Sequence, residues 1–221
     1  YFGGAFTLLW HAGEPLMVPI AFHDEATRRI GRLLAERGLP TTTIVQSLQT
    51  NATVIDAAWC DCFERNRIHV GVSMDGPAFL HDAHRVTRTG LSTHAAVMRG
   101  IDWLARRQIP FQVICVLTAD ALDHADAIAD FCLQHGIVAV GFNMEETEGA
   151  NSRSSLDAGG AGQMALEQRY RAFMARLWQR SRELSGRLRI REFDGLASLA
   201  CSQARMVQTD MNTPFVIVNV D

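Results

Sequence analysis

The sequence lacks long hydrophobic runs, an N-terminal signal peptide and any excess of basic residues. Its 21 Lys and Arg residues against 24 Asp and Glu residues give a formal net charge of -3. This balance excludes the basic surface that nucleic-acid binding needs and the polybasic segment that anchors a protein to a membrane. The sequence therefore predicts a cytoplasmic protein with neither a nucleic-acid nor a membrane partner.

Cysteine is also scarce, at five residues in 221. Only Cys60 and Cys62 lie close together, and a single intervening residue is not a usual spacing for metal ligands. Cys115 and Cys132 fall in apolar runs and are predicted to be buried as small hydrophobic residues. We therefore expect reduced thiols and no metal site made by this chain.

The remaining composition is that of a globular protein, with 48% hydrophobic and 20% charged residues. A chain of 221 residues is long enough to bury a full core. It opens on Tyr1 and stops at Asp221, directly after an apolar run, so it is expected to be a piece of a longer protein. A change of character near residue 150 predicts two domains, 1–150 and 151–221.

Apolar segments alternate with amphipathic ones through the first domain. The segments predicted as strands are 5–10, 43–48, 69–74, 111–117 and 138–144. The segments predicted as helices are 18–37, 56–67, 92–107 and 121–135. Alternation of this kind predicts parallel strands joined by helical crossovers. Five such units in series favour an α/β fold with a partial TIM-like barrel, (β/α)6, over a two-sided sheet.

The second domain begins with a Ser- and Gly-rich stretch, 147–162, which is typical of a loop or flexible lid. A long amphipathic helix is predicted at 163–184. Alternating charged and apolar residues then predict an edge strand at 187–193, a helix at 196–207 and a final strand at 214–220.

Polar residues recur where the predicted strands end. The first is Glu14, in the turn that follows the strand 5–10; Gly13 lets a ligand approach the backbone, and Pro15 stops the strand. The others are Gln49, Asn51, Ser73, Asp75, Thr118, Asn143 and Glu145. Because parallel α/β folds bind ligands at the carboxyl ends of their strands, the pattern indicates a polar ligand held there by several hydrogen bonds.

Several of these residues also have simpler interpretations. Ser73 and Asp75 are compatible with an ordinary turn, and the pair His81 and His84 is more typical of a surface loop than of a metal site. The acidic segment 145–148 reads as a solvated loop that could attract a basic peptide. Arg189 and Arg191 favour an exposed edge, with substrate contact open.

Three motifs taken together resemble radical S-adenosylmethionine enzymes of the peptide- and protein-modifying branch, which includes the anaerobic sulfatase maturases. The motifs are Trp10-His11-Ala12-Gly13-Glu14-Pro15, Gln49-Thr50-Asn51-Ala52-Thr53, and Val70 to Pro77 with His81, Asp82 and Arg85. Two later stretches, Gly141 to Gly149 and Asn212 to Phe215, are similar to the cyclophane-forming peptide maturases. Residues after 150 would then begin a C-terminal SPASM-type extension.

The resemblance implies S-adenosylmethionine as cofactor and assigns residues to its parts. Gly13 and Glu14 would receive the amino group of its methionine. Ser73 would help hold its carboxylate or ribose, with Asp75 in the same turn. Arg85, with Arg88 as the rival, would contact the carboxylate. The residues expected near the adenine or lining the same cavity are Phe142, Asn143, Met144, Gln49 and Asn51.

The family also uses a four-iron four-sulfur cluster, held by three cysteines spaced C-x-x-x-C-x-x-C. No such set occurs in this sequence, and the family places it upstream of the Gly-Glu turn. The cluster ligands are therefore expected outside this chain, which by itself is expected to be inactive, and no catalytic residue is assigned. The implied partners are a ribosomally made precursor peptide or protein and a reductant such as flavodoxin or ferredoxin.

Two other functions remain open from the residues alone. The first is a cofactor-independent TIM-type lyase or aldolase in which Glu14 and Asp75 act as acid and base. The second is a non-catalytic barrel that binds a peptide leader.

Overall fold

The computed structural model describes residues 6–11, 13–147, 153–157, 159–184 and 186–201. Its strands are β1 (Phe6–Trp10), β2 (Ile44–Thr50), β3 (Ile68–Ser73), β4 (Phe111–Leu117), β5 (Ala139–Met144) and β6 (Arg189–Ile190). Its α-helices are α1 (Ile20–Glu36), α2 (Ala57–Asn66), α3 (Ala78–His84), α4 (His94–Arg106), α5 (Ala125–Gln134), α6 (Gly160–Glu183) and α7 (Arg191–Cys201). Short 3-10 turns lie at Pro15–Met17, Thr41–Thr43 and Asp120–Asp123.

The six strands form one parallel sheet in the order in which they follow along the chain. A doubly wound sheet would reverse its strand order at a switch point. Sequential order without reversal, combined with right-handed crossovers, places successive helices on the same face. The predicted α/β partial barrel is therefore confirmed, and within the described residues the sheet is open, with β1 and β6 at its edges.

The helix-covered face of the sheet is the core. On β4, Val113, Cys115 and Leu117 are buried, whereas Gln112 on the alternate face is exposed. The same alternation of buried with more exposed residues runs along β2. A parallel sheet covered on both faces would bury both sets of side chains. The uncovered face, called the open face below, is thus available to line a cavity.

The helices begin and end close to their predicted limits in the first domain. Helix α2 begins as predicted after Asp56, whose carboxylate accepts a hydrogen bond from the Trp59 N–H at 3.0 Å. The predicted helix 121–135 is instead a 3-10 turn followed by α5. Helix α3 was not predicted, and it carries the residues that were expected to form a surface loop.

The later elements depart further from the predictions. Helix α6 begins at Gly160, and its Phe173 and Leu177 are buried in the same core as the sheet. The predicted edge strand 187–193 is wrong beyond Ile190, because α7 begins at Arg191. The predicted strand 214–220 and the helix beyond Cys201 lie outside the described residues, and the division into two domains stays a prediction. In the described parts of the chain, no helix is long and apolar enough to span a bilayer.

Candidate functional site

The turn after β1 aims a carboxylate at the end of β2. Glu14 Oε1 accepts hydrogen bonds from the Leu16 N–H at 3.1 Å and the Thr50 hydroxyl at 2.6 Å, and Oε2 accepts one from the Asn51 N–H at 2.7 Å. Gly13 provides the left-handed backbone that the turn requires, with φ of +59°. The carboxylate is therefore fixed at the carboxyl ends of two neighbouring strands, and part of its acceptor capacity remains for a ligand.

The turn that follows β2 supplies these donors and is itself constrained. Thr50 Oγ1 accepts the Ala52 N–H at 2.9 Å while its own proton goes to Glu14. Ala52 has a φ of +57°, which is uncommon for a residue with a Cβ. Helix α4 packs closely against this turn, since a Cβ on Gly100 would lie only 2.2 Å from the Ala52 carbonyl oxygen. Such a tightly held turn keeps the Asn51 N–H and the Thr50 hydroxyl aimed at Glu14.

On the open face, Gln49 and Ser73 lie side by side at the ends of β2 and β3. Gln49 Nε2 donates to Ser73 Oγ at 2.9 Å. The Gln49 side chain crosses directly over Gly71, where an added Cβ would come within 2.1 Å of Gln49 Oε1. Gly71 thus makes the room that brings the amide and the hydroxyl together.

The next turn holds a buried ion pair between Asp75 and Arg85. Asp75 is only 6% exposed. Its Oδ2 accepts from Arg85 Nε at 2.5 Å, and its Oδ1 accepts from Arg85 Nη2 at 3.1 Å and from the Val116 N–H at 2.8 Å. The Arg85 side chain is 29% exposed, which leaves its Nη1 side available to a ligand. Asp75 is therefore committed to orienting Arg85 and to joining this turn to β4.

A polar cavity of about 210 Å³ lies beside this ion pair. The residues that line it are Asn51, Thr53, His81, Arg85, Val86, Thr93 and Val97. The Thr53 and Thr93 hydroxyls already donate to Asn51 Oδ1 and to the Arg85 carbonyl, so the amide of Asn51 and the guanidinium of Arg85 are the donors that suit this space to a small anion such as a carboxylate.

The three residues predicted near an adenine are split between the faces of the sheet. The Phe142 ring is buried against Phe173 of α6, with ring centroids 5.5 Å apart. Asn143 and Met144, by contrast, are exposed at the end of β5. Only the backbone of Phe142 is thus close to the open face, whereas Asn143 presents its amide there.

Arg191 and Glu192 extend the edge of β5 with their side chains, and the sequence did not single out Glu192. Arg191 Nη2 donates to the Phe142 carbonyl at 2.7 Å and to Asn143 Oδ1 at 3.0 Å. Glu192 Oε1 accepts the Phe142 N–H at 3.0 Å. The guanidinium lies against Gly141, where a Cβ would meet it at 2.8 Å. The edge that was predicted to be exposed therefore also fixes the position of the Asn143 side chain.

Glu145 is not the freely solvated carboxylate that was one interpretation of the acidic segment. It accepts hydrogen bonds from the Ser155 N–H and hydroxyl, each at 2.6 Å, and from the Ser154 hydroxyl at 3.3 Å. Burial opposes ionisation, but these hydrogen bonds outweigh it, and the pKa of Glu145 is lowered. Glu145 thus ties the described part of the predicted lid to the end of β5, while Glu148 lies outside the described residues.

Sequence reasoning named most of the polar residues that lie at these strand ends but missed the residues that support them. Thr50 and His81 lie in two of the motifs but were assigned no supporting role, and Gly100 was not singled out; their contacts, to Glu14, Asp75 and Ala52, form only in the folded chain. His81 was expected on a surface loop, yet it is fully buried in α3. Among the described residues, no group of three His, Cys, Asp or Glu side chains could hold a metal ion.

The cysteines do not suit an iron–sulfur cluster. Cys60, Cys62, Cys115 and Cys132 are all buried and free. Burial raises the pKa of the Cys132 thiol to about 12 and that of Cys115 well above its usual value, so both stay protonated. Cluster ligands must be thiolates.

Comparisons with known proteins agree on one family, although no family model matches the chain. An uncharacterized protein of Synechocystis sp. is 45% identical over 216 residues, which are 98% of this chain and 53% of that protein. The serine-type anaerobic sulfatase-maturating enzyme of Klebsiella aerogenes is 32% identical over 182 residues, which are 82% of this chain and 42% of that enzyme. The chain thus spans about half the length of these relatives.

Solved structures give the same answer for the fold. The structure of anSMEcpe with bound AdoMet (S-adenosylmethionine) matches with a TM-score of 0.75 at 25% identity, over 91% of this chain and 51% of that one. Its complex with AdoMet and the Cp18Cys peptide matches with the same TM-score and identity, over 91% of this chain and 54% of that one. By sequence and by fold, the chain belongs to the radical S-adenosylmethionine maturase family that includes the anaerobic sulfatase maturases.

Proposed function

We propose that this chain provides the S-adenosylmethionine site of a radical maturase that abstracts a hydrogen from a side chain of a ribosomally made peptide or protein. The modification would be a crosslink or an oxidation. The observation that carries the proposal is that Glu14, Ser73 and Arg85 are all anchored at the carboxyl-end edge of the parallel sheet: Glu14 to the turn after β2, Ser73 to Gln49 of β2, and Arg85 to Asp75 just after β3. A negatively charged acceptor, a hydroxyl and a guanidinium therefore lie along the same edge of the sheet.

These residues match the methionine end of the cofactor group by group. The carboxylate of Glu14 would accept the amino group, since its present partners are uncharged donors. The Nη1 side of Arg85, with the Ser73 hydroxyl, would hold the carboxylate. Gly13, Asn51 and Asp75 would act mainly by positioning: the first shapes the turn, and the other two hold Glu14 and Arg85.

The nucleoside end would extend along the open face. Asn143 offers an amide whose orientation is set by Arg191. Met144 is 41% exposed at the end of β5, on the same face as Phe142 by strand alternation. Gln49 would line the same cavity next to Ser73. Phe142 would contribute through its backbone, because its ring packs on the other side of the sheet.

When bound and reduced by a four-iron four-sulfur cluster, the cofactor supplies a carbon-centred radical that can remove a hydrogen atom. The described cysteines do not suit that cluster, so its ligands are expected elsewhere in the protein. This chain's own residues would bind and orient the cofactor at the carboxyl ends of the strands. A reductant such as flavodoxin or ferredoxin would act on the cluster.

A peptide is the proposed substrate because a related enzyme has been solved with one. The anSMEcpe complex contains the Cp18Cys peptide, and the open face of the present sheet leaves room beside Asn143.

The lyase alternative fits the geometry less well. Asp75 would have to exchange protons, yet it is buried and bonded to both Arg85 and the Val116 N–H. An acid or base must reach the substrate within hydrogen-bond distance. The peptide-binding alternative differs from the proposal in requiring no affinity for S-adenosylmethionine.

Binding of S-adenosylmethionine to the full-length, anaerobically purified protein tests the proposal by equilibrium dialysis. The wild type should bind, and Glu14→Gln should weaken binding by roughly tenfold or more through loss of the charge-assisted contact. Glu25→Gln, on the exposed side of α1, is the matched control and should bind as the wild type does. Absence of binding by the wild type, or equal affinity of the Glu14 and Glu25 variants, would contradict the proposal.

A further inference from the structure

A chain of hydrogen bonds behind the site joins the backbones of the two residues of the buried ion pair. The Asp75 N–H donates to His81 Nδ1 at 3.3 Å, and His81 Nε2 lies 3.1 Å from Thr93 Oγ1. Thr93 Oγ1 donates in turn to the Arg85 carbonyl at 2.7 Å. The backbone donor at one end and the backbone acceptor at the other fix the direction of every bond between them.

The direction of these bonds also sets the state of the imidazole. His81 Nδ1 must be unprotonated to accept from Asp75, and Nε2 must carry the proton, since Thr93 uses its own proton for Arg85. Burial lowers the pKa of His81 to about 4. The ring is therefore neutral near pH 7, in one tautomer.

Contacts of α3 and α4 hold this chain of hydrogen bonds in place. Asp82, next to His81, accepts the N–H groups of Thr93 and His94 at 3.0 and 2.9 Å and so caps the start of α4. The Arg85 N–H closes α3 on the His81 carbonyl at 2.9 Å. Two adjacent residues of α3 thus set the distance between the Asp75 turn, Arg85 and α4.

We infer that His81 is a positioning residue for the cofactor's carboxylate: by bridging the backbones of Asp75 and Arg85 through Thr93, it sets the direction of the Arg85 guanidinium. This inference rests on the proposed function. The ion pair alone fixes the guanidinium relative to Asp75, whereas the His81–Thr93 bridge fixes both residues relative to the sheet and to α4. His81 acts through Arg85 and touches no ligand itself.

The test measures S-adenosylmethionine affinity for the full-length protein by equilibrium dialysis, with unfolding followed in parallel. His81→Phe keeps the ring size and removes both hydrogen bonds, and it should weaken binding by about tenfold. His81→Asn retains an acceptor near Nδ1 and should recover part of that loss. His135→Phe, at the exposed end of α5 and away from the Asp75 turn, is the control and should leave the affinity unchanged.

Coupling to Arg85 separates positioning from general stability. In an Arg85→Ala background, His81→Phe should cause no further loss of affinity, because the group it positions is gone. An additive loss there, or a His81→Phe protein that unfolds more easily yet binds as the wild type does, would overturn the inference. Failure of the proposed function has a different signature: Arg85→Ala and Glu14→Gln would then leave the affinity unchanged.

Discussion

The two sides of the proposed site hold their charged groups in different ways. Glu14 is held by uncharged donors, the N–H groups of Leu16 and Asn51 and the hydroxyl of Thr50. Arg85 is held by an opposite charge, the buried carboxylate of Asp75. Uncharged donors orient an anion without cancelling its charge, whereas an ion pair orients a cation and neutralises it.

The difference assigns separate tasks to the two sides. On the Glu14 side the net charge remains available, which suits attraction of an ammonium group. On the Arg85 side, Asp75 balances most of the positive charge. The guanidinium then offers a ligand mainly hydrogen-bond donors that point in a fixed direction. Affinity is therefore expected to depend on charge at Glu14 and on geometry at Arg85.

The largest effect on stability is expected at the ion pair. Asp75→Ala leaves the Arg85 guanidinium and the Val116 N–H without their partner, so the free energy of unfolding should fall by about 3 kcal/mol. This value is at the lower end for a buried pair because Arg85 is 29% exposed. Urea denaturation measures it.

An exposed pair provides the control for this change. Asp194→Ala removes the partner of Arg189, and both side chains are well exposed. It should lower the free energy of unfolding by less than about 1 kcal/mol. Equal losses of unfolding free energy for the Asp75 and Asp194 variants would show that the buried ion pair contributes no more to stability than the exposed one.

An intermediate effect is expected where α4 supports the Glu14 side. The added methyl group of Gly100→Ala would lie 2.2 Å from the Ala52 carbonyl, so the turn or the helix must shift, at about 2 kcal/mol. The control is Gly31→Ala in α1, where a Cβ meets open space and the greater helix propensity of Ala should stabilise the fold by about 0.5 kcal/mol. Thermal unfolding compares the two, and a stabilising Gly100 variant would disprove the close contact.

Taken per pH unit, the smallest effect is the acid sensitivity of the Arg85 side. His81 has a folded pKa of about 4, lowered by burial from 6.5, so its contribution to stability is complete above pH 6.5 and is lost as the pH falls toward 4. The groups that act on it are Asp75, Arg85, Asp82 and His94. The wild type should lose up to about 1.4 kcal/mol per pH unit in that window from this proton.

His81→Asn isolates this proton from the other titrating histidines. His23 and His94 also have pKa values lowered by burial, and they remain in the variant. The difference in urea stability between wild type and variant should therefore shrink as the pH falls from 6.5 to 4. A constant difference across that range would contradict a neutral, buried His81.

Much of the site could be predicted because it lies in short motifs at strand ends. The carboxyl ends of parallel strands lie along one edge of the sheet. Assigning Glu14, Gln49, Ser73 and Asn143 to those ends therefore also assigned them to that edge. Two-residue alternation also separates residues on the open face from those in the core. The prediction nevertheless put Phe142 and Asn143 in the same cavity, although neighbouring residues of a strand point to opposite faces of the sheet.

Local pattern failed where an element depends on distant contacts. Helix α3 has seven residues, too few for a clear hydrophobic period, and its His81 is buried by partners in the preceding turn and in α4. The strand predicted at 187–193 alternates charged and apolar residues, yet only Arg189 and Ile190 find a partner strand in β5. Pairing, and not the alternation itself, decides whether such a segment is a strand.

The sequence by itself determined the order of strands and helices and the polar character of the strand ends, because both follow from side-chain period and from residue type within short segments. Only the tertiary structure decided which of those polar groups meet, which of them are already bonded, and how the Gly100, Thr50 and His81 contacts support them. Those contacts run between separate turns, strands and helices, and their distances are set by how the helices pack on the sheet.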